Sequence, residues 1–326
     1  MKILITGVHG FVGSNLAKAL SKEHTVYGLD IIAPQKEGIV KTFGWECLDT
    51  AEPSTSLGNA GIPEVDAIIH LAGKAHDTKN QSKADEYFKV NTELTKRIYD
   101  YFFAHKGIKK FIFFSSVKAA ADKVEGILTE DIVPAPVGPY GESKIKAEEY
   151  IKSALAIQQT QESLVKHTYI LRPCMIHGSG NKGNLNLLYG VVKRGIPWPL
   201  GAFENKRTFT SIDNLCYIIK GLLTKNAESG VYNINDDEAV STNELIEIIC
   251  FALGKKARIW HIPCGLMKGL AKVGGWLHLP LNSERLQKLT ENYVASNVKI
   301  KKALGLEQLP VRAKDGLLKT IRSFNK

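Results

Sequence analysis

Residues 1–30 read MKILITGVHGFVGSNLAKALSKEHTVYGLD: a strand, a glycine-rich turn, a helix, a second strand, and then an acidic residue. Ile3, Leu4 and Ile5 form a short apolar run that suits a parallel strand buried on both faces. Gly7, Gly10 and Gly13 follow, and Phe11, Leu16, Ala17 and Leu20 continue at helical spacing. Such a turn lets backbone N–H groups approach a pyrophosphate, with the positive end of the helix dipole aimed at it. Val26 to Leu29 form the second strand, and Asp30 closes it where an acidic side chain meets an adenosine ribose. A glycine triplet alone is weak evidence, because ordinary strand-to-helix turns carry glycines too. Here the strand, the helix and the acid all fall where a dinucleotide needs them.

The glycines run Gly-x-x-Gly-x-x-Gly, not Gly-x-Gly-x-x-Gly. Asp30 favours NAD(H), because a carboxylate accepts from the ribose hydroxyls and would repel the extra phosphate of NADP. At 326 residues the chain is long enough for one large core with an appended lobe, or for two domains. Its formal charge of +10 fits an anionic small-molecule ligand or a solvated surface. Basic residues are not clustered with stacking aromatics, so no nucleic-acid partner is expected. Cys47, Cys174, Cys216, Cys250 and Cys264 are scattered, which fits reduced thiols in a cytoplasmic protein. The histidines form no ligand cluster, so no metal is expected. The first strand begins at once, leaving no room for a signal peptide, and no apolar run is long enough for a membrane span.

Further along, Gly44–Leu48 suggests a third strand, followed by Asp49. VDAIIHLAG (65–73) reads as a buried strand whose end, Leu71-Ala72-Gly73, lets the chain pass close to the cofactor. His70 lies inside it and is expected to be packed, not catalytic. The spacing predicts one long helix over 82–105, with Ala84, Tyr87, Phe88, Leu94, Ile98, Tyr101 and Phe102 on its apolar face. KFIFFSS (110–116) is a fifth strand whose carboxyl end delivers two hydroxyls, where ligands of open parallel sheets sit. YGESKIKAEEYIKSAL (140–155) is a helix that stacks Tyr140 and Lys144 on one face. HTYILRP (167–173) is the next strand, and polar, glycine-containing text beyond it suits a substrate-binding segment. A helix over 214–223 and a strand at VYNIND (231–236) follow, and from Ser241 the chain is mostly helical. Leu266–Leu281 is weakly amphipathic with two lysines. A helix packed in the second lobe is expected there, with membrane-surface association as the alternative.

The chemistry resides in a phenol and an amine. A phenol is a poor base at neutral pH, and a nearby ammonium makes its anion less costly. Tyr140 with Lys144 supplies that pair, and Ser116 can hydrogen-bond a reacting hydroxyl and the carbonyl that develops from it.

TGVHGFVG, Ser116 and the Tyr140-x-x-x-Lys144 motif come in the order seen in short-chain dehydrogenases/reductases. The chain resembles the extended branch, of NAD-dependent epimerase/dehydratase type, acting on nucleotide-activated sugars. The resemblance covers nearly the whole length, with Arg172-Pro173 and Arg207 ahead of Asp213-Asn214 as further matches. It implies an α/β fold, a doubly wound parallel (Rossmann-like) sheet with a smaller, mainly helical C-terminal substrate lobe. Residues 1–175 would bind NAD, 208–235 would fold back onto them, and 176–207 with 236–326 would form the lobe.

Cofactor contacts are expected from Gly7, Gly10, Phe11, Val12, Gly13, Asp30, Leu71, Ala72, Gly73, Tyr140 and Lys144. The family adds Asp49, facing the adenine or serving as a turn residue, and Asn91, steadying the site or capping the surface. It also implies that Asn184, Leu185 and Arg207 hold the nucleotide and diphosphate, Arg207 being otherwise a surface arginine. Ser116, Tyr140 and Lys144 would be catalytic. Three departures stand out: Ala119-Ala120-Ala121 for Val-Tyr-Gly, His177-Gly178-Ser179-Gly180 for Tyr-Gly-Pro-Gly, and Ser116-Val117-Lys118 where dehydratases have Thr-Asp-Glu. The last argues against a 4,6-dehydratase. The resemblance therefore implies a homodimeric UDP-sugar 4-epimerase of surface polysaccharide biosynthesis, or a reductase of a UDP-4-keto-6-deoxy-hexosamine. Non-catalytic sensors and assembly factors on this fold commonly lack the Tyr-x-x-x-Lys that this chain keeps.

Overall fold

Ile3, Leu4 and Ile5 have no solvent exposure, and they divide between two cores. Successive side chains of a strand point to opposite faces, so Ile3 and Ile5 enter one hydrophobic layer and Leu4 the other. The structure is a computed structural model that describes residues 1–48, 61–74, 83–159, 166–181, 183–276 and 282–324. Its first half runs β1 (Lys2–Thr6), α1 (Phe11–Leu20), β2 (Thr25–Leu29), β3 (Thr42–Phe43), β4 (Ala67–His70), α2 (Ala84–Tyr87), α3 (Leu94–Ala104), β5 (Lys110–Phe114), β6 (Ile127–Leu128), α4 (Pro139–Gln159) and β7 (His167–Pro173). The rest is β8 (Met175–His177), α5 (Asn184–Lys193), β9 (Phe209–Ser211), α6 (Ile212–Thr224), β10 (Gly230–Ile234), α7 (Thr242–Ala252), α8 (Cys264–Trp276), α9 (Ser283–Thr290), β11 (Val294–Ala295), α10 (Val298–Leu304) and α11 (Ala313–Ser323).

The main sheet has seven parallel strands in the order β10-β7-β5-β4-β1-β2-β3. Ile3 lies opposite Val26 of β2 on one side and Ala67 of β4 on the other. The chain winds outward from β1 to β3 and then returns to β4, so the strand order reverses beside β1. That reversal opens a crevice at the carboxyl edge, where ligands of open α/β sheets bind. α1 and α6 cover the face of Ile3 and Ile5, while α3 and α4 cover that of Leu4. β10 returns to the sheet from the second half, with Tyr232 opposite Leu171. A separate core of Leu185, Trp198, Ile249, Met267, Leu286 and Leu317 holds α5, α7, α8, α9 and α11 together.

Two expectations need correction. Only Thr42 and Phe43 pair with β2; Trp45–Leu48 form a tight 3₁₀ turn instead of a strand. The Glu46 carboxylate folds over Gly44, and the Cys47 N–H closes onto the Gly44 carbonyl at 3.2 Å. Asp49 lies outside the described residues. The helix expected over 82–105 is broken in register by a wide π turn at Phe88–Glu93. Such turns occur as single insertions in α-helices, frequently at functional sites. Here the turn buries the consecutive residues Asn91 and Thr92, and both bond to Ser143 of α4 (3.0 and 2.8 Å). Ala84, expected on the apolar face, is exposed.

Candidate active site

The glycine turn fits a backbone-bound anion. Gly7 has a positive φ of 65°, and a methyl group there would sit 2.9 Å from the Ala72 nitrogen. Gly13 packs the helix on the turn, since a side chain would meet the Gly7 carbonyl at 2.4 Å. Gly10 caps α1 without any side-chain hydrogen bond, so the first turn, carrying Phe11 and Val12, keeps its N–H groups for a ligand. Asp30 stands at the end of β2, accepting from the His9 N–H (3.0 Å) and the Ile31 N–H (2.8 Å). These two bonds orient its carboxylate.

Opposite the turn, Leu71 and Ala72 both donate their N–H to the Thr6 hydroxyl (3.1 and 3.0 Å). Thr6 in turn meets Nδ1 of His70 at 2.7 Å, and Nε2 of His70 meets Thr95 at 2.9 Å. Thr95 donates to the Asn91 carbonyl, so it accepts from His70, which assigns the imidazole proton to Nε2. Burial, aided by the Lys144 charge, lowers His70 to about 3 and keeps it neutral. It is a packed histidine.

Ser116, Tyr140 and Lys144 come together at the carboxyl end of β5. Ser116 caps the short turn Val117–Ala119 and hydrogen-bonds the half-buried Tyr140 phenol. Burial pushes that phenol above its ordinary value, and Ser116 pulls it back. The Lys144 ammonium donates to the Phe114 carbonyl at 2.8 Å and lies 5.2 Å from the Phe113 ring centroid. Burial lowers Lys144 to about 8, and Glu148 opposes the fall. Burial is thus the largest influence on both groups, and the ammonium is turned onto the Phe114 carbonyl.

Gly73 leaves room at the same point, since a methyl there would sit 2.9 Å from Asn91 Oδ1 and 3.1 Å from Lys144 Nζ. Asn91 accepts from the Lys74 N–H (2.7 Å) and donates to Ser143, tying the β4 edge to α4.

Several supporting residues escaped the sequence. Glu148 is fully buried and takes a two-pronged contact from Arg172 (2.9 and 2.6 Å) and a bond from Ser115 (2.6 Å). Ser115 and Ser116 therefore point apart, as neighbours on extended chain must. Glu148 lies four residues beyond Lys144, a signal that could have found it.

In the second lobe the expected residues have different surroundings. Asn184 is exposed at the start of α5, and the Leu185 side chain is packed into the lobe core. Arg207 is paired with Glu291 at 3.0 Å, its Nε buried without a partner among the described residues. Arg207 also bridges to Tyr293, whose hydroxyl donates to the carbonyls of Val117 and Ala121 (3.1 and 2.8 Å). That contact ties the Arg207 segment to the Ser116 turn. Ala119, Ala120 and Ala121 are buried, the last two packed with Tyr293. His177 is buried against Thr320 (2.9 Å) and Asp236 (3.5 Å), while Gly178 approaches the Phe11 ring.

The residues present fit NAD: the Gly7–Gly13 turn would hold the pyrophosphate, Asp30 the adenosine ribose, and Tyr140 with Lys144 the nicotinamide end. A model of the NAD-dependent epimerase/dehydratase family matches residues 3–235. The chain is 31% identical to the UDP-glucose 4-epimerase of Vibrio cholerae, over 99% of this chain and 95% of that protein. It is 28% identical to N-acetyl-alpha-D-glucosaminyl-diphospho-ditrans,octacis-undecaprenol 4-epimerase of Escherichia coli O157:H7, over 92% and 84% of the two. The fold superposes on UDP-glucuronic acid 4-epimerase from Bacillus cereus, solved with NAD, with a TM-score of 0.70 at 22% identity over 100% and 99% of the chains. A family model over most of the chain, and a relative above 30% identity along nearly all of it, leave one conclusion: the chain belongs to the NAD-dependent epimerase/dehydratase family and is an NAD-dependent enzyme.

Proposed function

We propose that the protein interconverts the C4 epimers of a UDP-hexose or UDP-N-acetylhexosamine through a 4-keto intermediate, in surface polysaccharide biosynthesis. The observation that carries this reading is the hydrogen-bonded Ser116–Tyr140 pair with Lys144 beside it, at the carboxyl edge of the sheet. Two epimerase relatives that match along most of the chain support it. Tyr140 takes the proton of the C4 hydroxyl, and Ser116 holds the reacting oxygen as it becomes a carbonyl. Lys144 supplies positive charge that makes the phenolate less costly. NAD, when bound, supplies the hydride acceptor at C4 and then the donor. The keto sugar turns over in the pocket and Tyr140 returns the proton as the other face is reduced.

Arg207 would exchange Glu291 for the diphosphate, a group its planar fork suits, and Asn184 with the Leu185 backbone would hold the nucleotide. Pairing of two copies along α3 and α4 belongs to the same reading; sedimentation showing monomer alone at micromolar concentration removes it. The five cysteines are free thiols, which supports a cytoplasmic site of action.

A reductase of a UDP-4-keto-6-deoxy-hexosamine uses the same three groups but must release its cofactor each turnover. Purified protein incubated with UDP-N-acetylglucosamine, without added cofactor, separates the two. C4 epimer without change in NADH absorbance is the expected result. No epimer, with stoichiometric NADH oxidation on a UDP-4-keto-6-deoxy sugar, assigns the protein to the reductases instead.

A further inference from the structure

The second lobe carries a surface that this chemistry does not use. From Phe251 to Trp276 the chain contains no acidic residue, while Lys255, Lys256, Arg258, Lys268 and Lys272 are all exposed. The same stretch exposes Phe251, Trp260, Leu266, Leu270, Val273 and Trp276, each with more than half of its surface open. Within α8 the division follows helical spacing. Met267, Ala271 and Gly274 are buried toward the lobe core, and Leu266, Leu270 and Val273 form an exposed row beside them. Lys268 and Lys272, one turn apart, lie on the other flank.

The outer face of a surface helix is ordinarily polar. A row of exposed aliphatics flanked by lysines and ending in tryptophan is instead the make-up of a helix lying in a membrane interface. We propose that this face docks the enzyme on an anionic phospholipid surface, the aliphatic row entering the headgroup–acyl boundary and the lysines pairing with lipid phosphates. Charge selects this occupant. A second copy meeting the same face across a two-fold axis would set the five cations against their own equivalents. Trp260 and Trp276 suit a boundary that is apolar on one side and wet on the other. No described helix is long and apolar enough to cross a bilayer, so the contact proposed is peripheral.

The face is also tied to the sugar site. The Trp260 N–H donates to the Trp198 carbonyl (2.8 Å), the Trp198 N–H to the Arg258 carbonyl (2.8 Å) and the Gly201 N–H to the Trp260 carbonyl (3.0 Å), and the Cys264 thiol reaches the Ala202 carbonyl. These contacts anchor it to the segment that leads into Arg207. Docking would therefore hold the substrate lobe at headgroup level, whichever sugar is turned over.

The test pellets the full-length, NAD-loaded protein with vesicles of phosphatidylcholine, alone or with about one-third phosphatidylglycerol. Binding to the anionic vesicles at low salt, at least roughly tenfold weaker near 0.5 M salt, is expected from screening. Lys268→Gln with Lys272→Gln should weaken it roughly twenty-five-fold, at about fivefold per basic residue. Leu266→Ser, Leu270→Ser and Val273→Ser together keep every charge; they should weaken binding at least roughly tenfold while the melting temperature holds. No cosedimentation of the wild type with anionic vesicles at low salt overturns the proposal, as does full binding by the triple serine variant. A dimer that the triple variant dissolves, with no vesicle binding by the wild type, overturns it too and assigns the face to a second copy.

Discussion

His70 touches no reacting group, yet the β1 edge, the β4 edge and the Asn91 turn are joined through it. Its folded-state value of about 3 lies below the 6.5 of a free imidazole. Between those values the unfolded chain binds a proton that the folded one does not, so stability falls as pH drops through that window. Going from pH 7 to pH 5, His70 should remove about 2 kcal/mol. Urea titrations at the two pH values should show this loss in the wild type and lack it in His70→Leu. The same histidine was legible as packed, because it sits inside an apolar strand; its partners were not, being 25 and 64 residues away. The place of Asp30 at the end of β2 was legible, since strand, turn and acid are contiguous. Asp30→Ala should weaken NAD binding roughly tenfold or more by losing a charged hydrogen bond, and so narrow its preference over NADP. Calorimetric titration measures both, and equal wild-type affinities would show that Asp30 does not face the ribose.

α4 shows what a helix contributes beyond its motif. Tyr140, Lys144 and Glu148 recur every four residues and so share a face. The last balances the buried Arg172 of β7 and raises Lys144 toward its charged form. Glu148→Gln would leave the Arg172 guanidinium buried without its counter-ion, costing about 3–5 kcal/mol, and would let Lys144 fall further. A denaturant midpoint unchanged from wild type would show that the pair contributes nothing. The tyrosine and lysine of this face were readable because their spacing is local. The π turn at Phe88–Glu93 was not, because it answers to Ser143 across a helix–helix contact, and apolar spacing records no such demand.

Across the whole molecule, apolar strands alternating with helical spacing were readable segment by segment, while the doubly wound parallel sheet and the return of 208–235 to it came from the family resemblance; the sheet has that order, with β10 beside β7. The lobe was less legible, because its contacts join distant segments: Arg207 to Glu291, and His177 to Thr320 and Asp236. Arg207 in particular was expected at a diphosphate and is paired with Glu291; under the proposed function it would exchange that partner for the substrate. In the proposed reaction, hydride leaves and returns to one carbon while Tyr140 handles only the hydroxyl proton. A UDP-hexose labelled with deuterium at C4 tests this directly. The epimer formed by the wild type should retain the deuterium, and Tyr140→Phe should form no epimer while keeping its NAD. Deuterium lost to water during epimerisation would mean that C4 is deprotonated, and would contradict the mechanism.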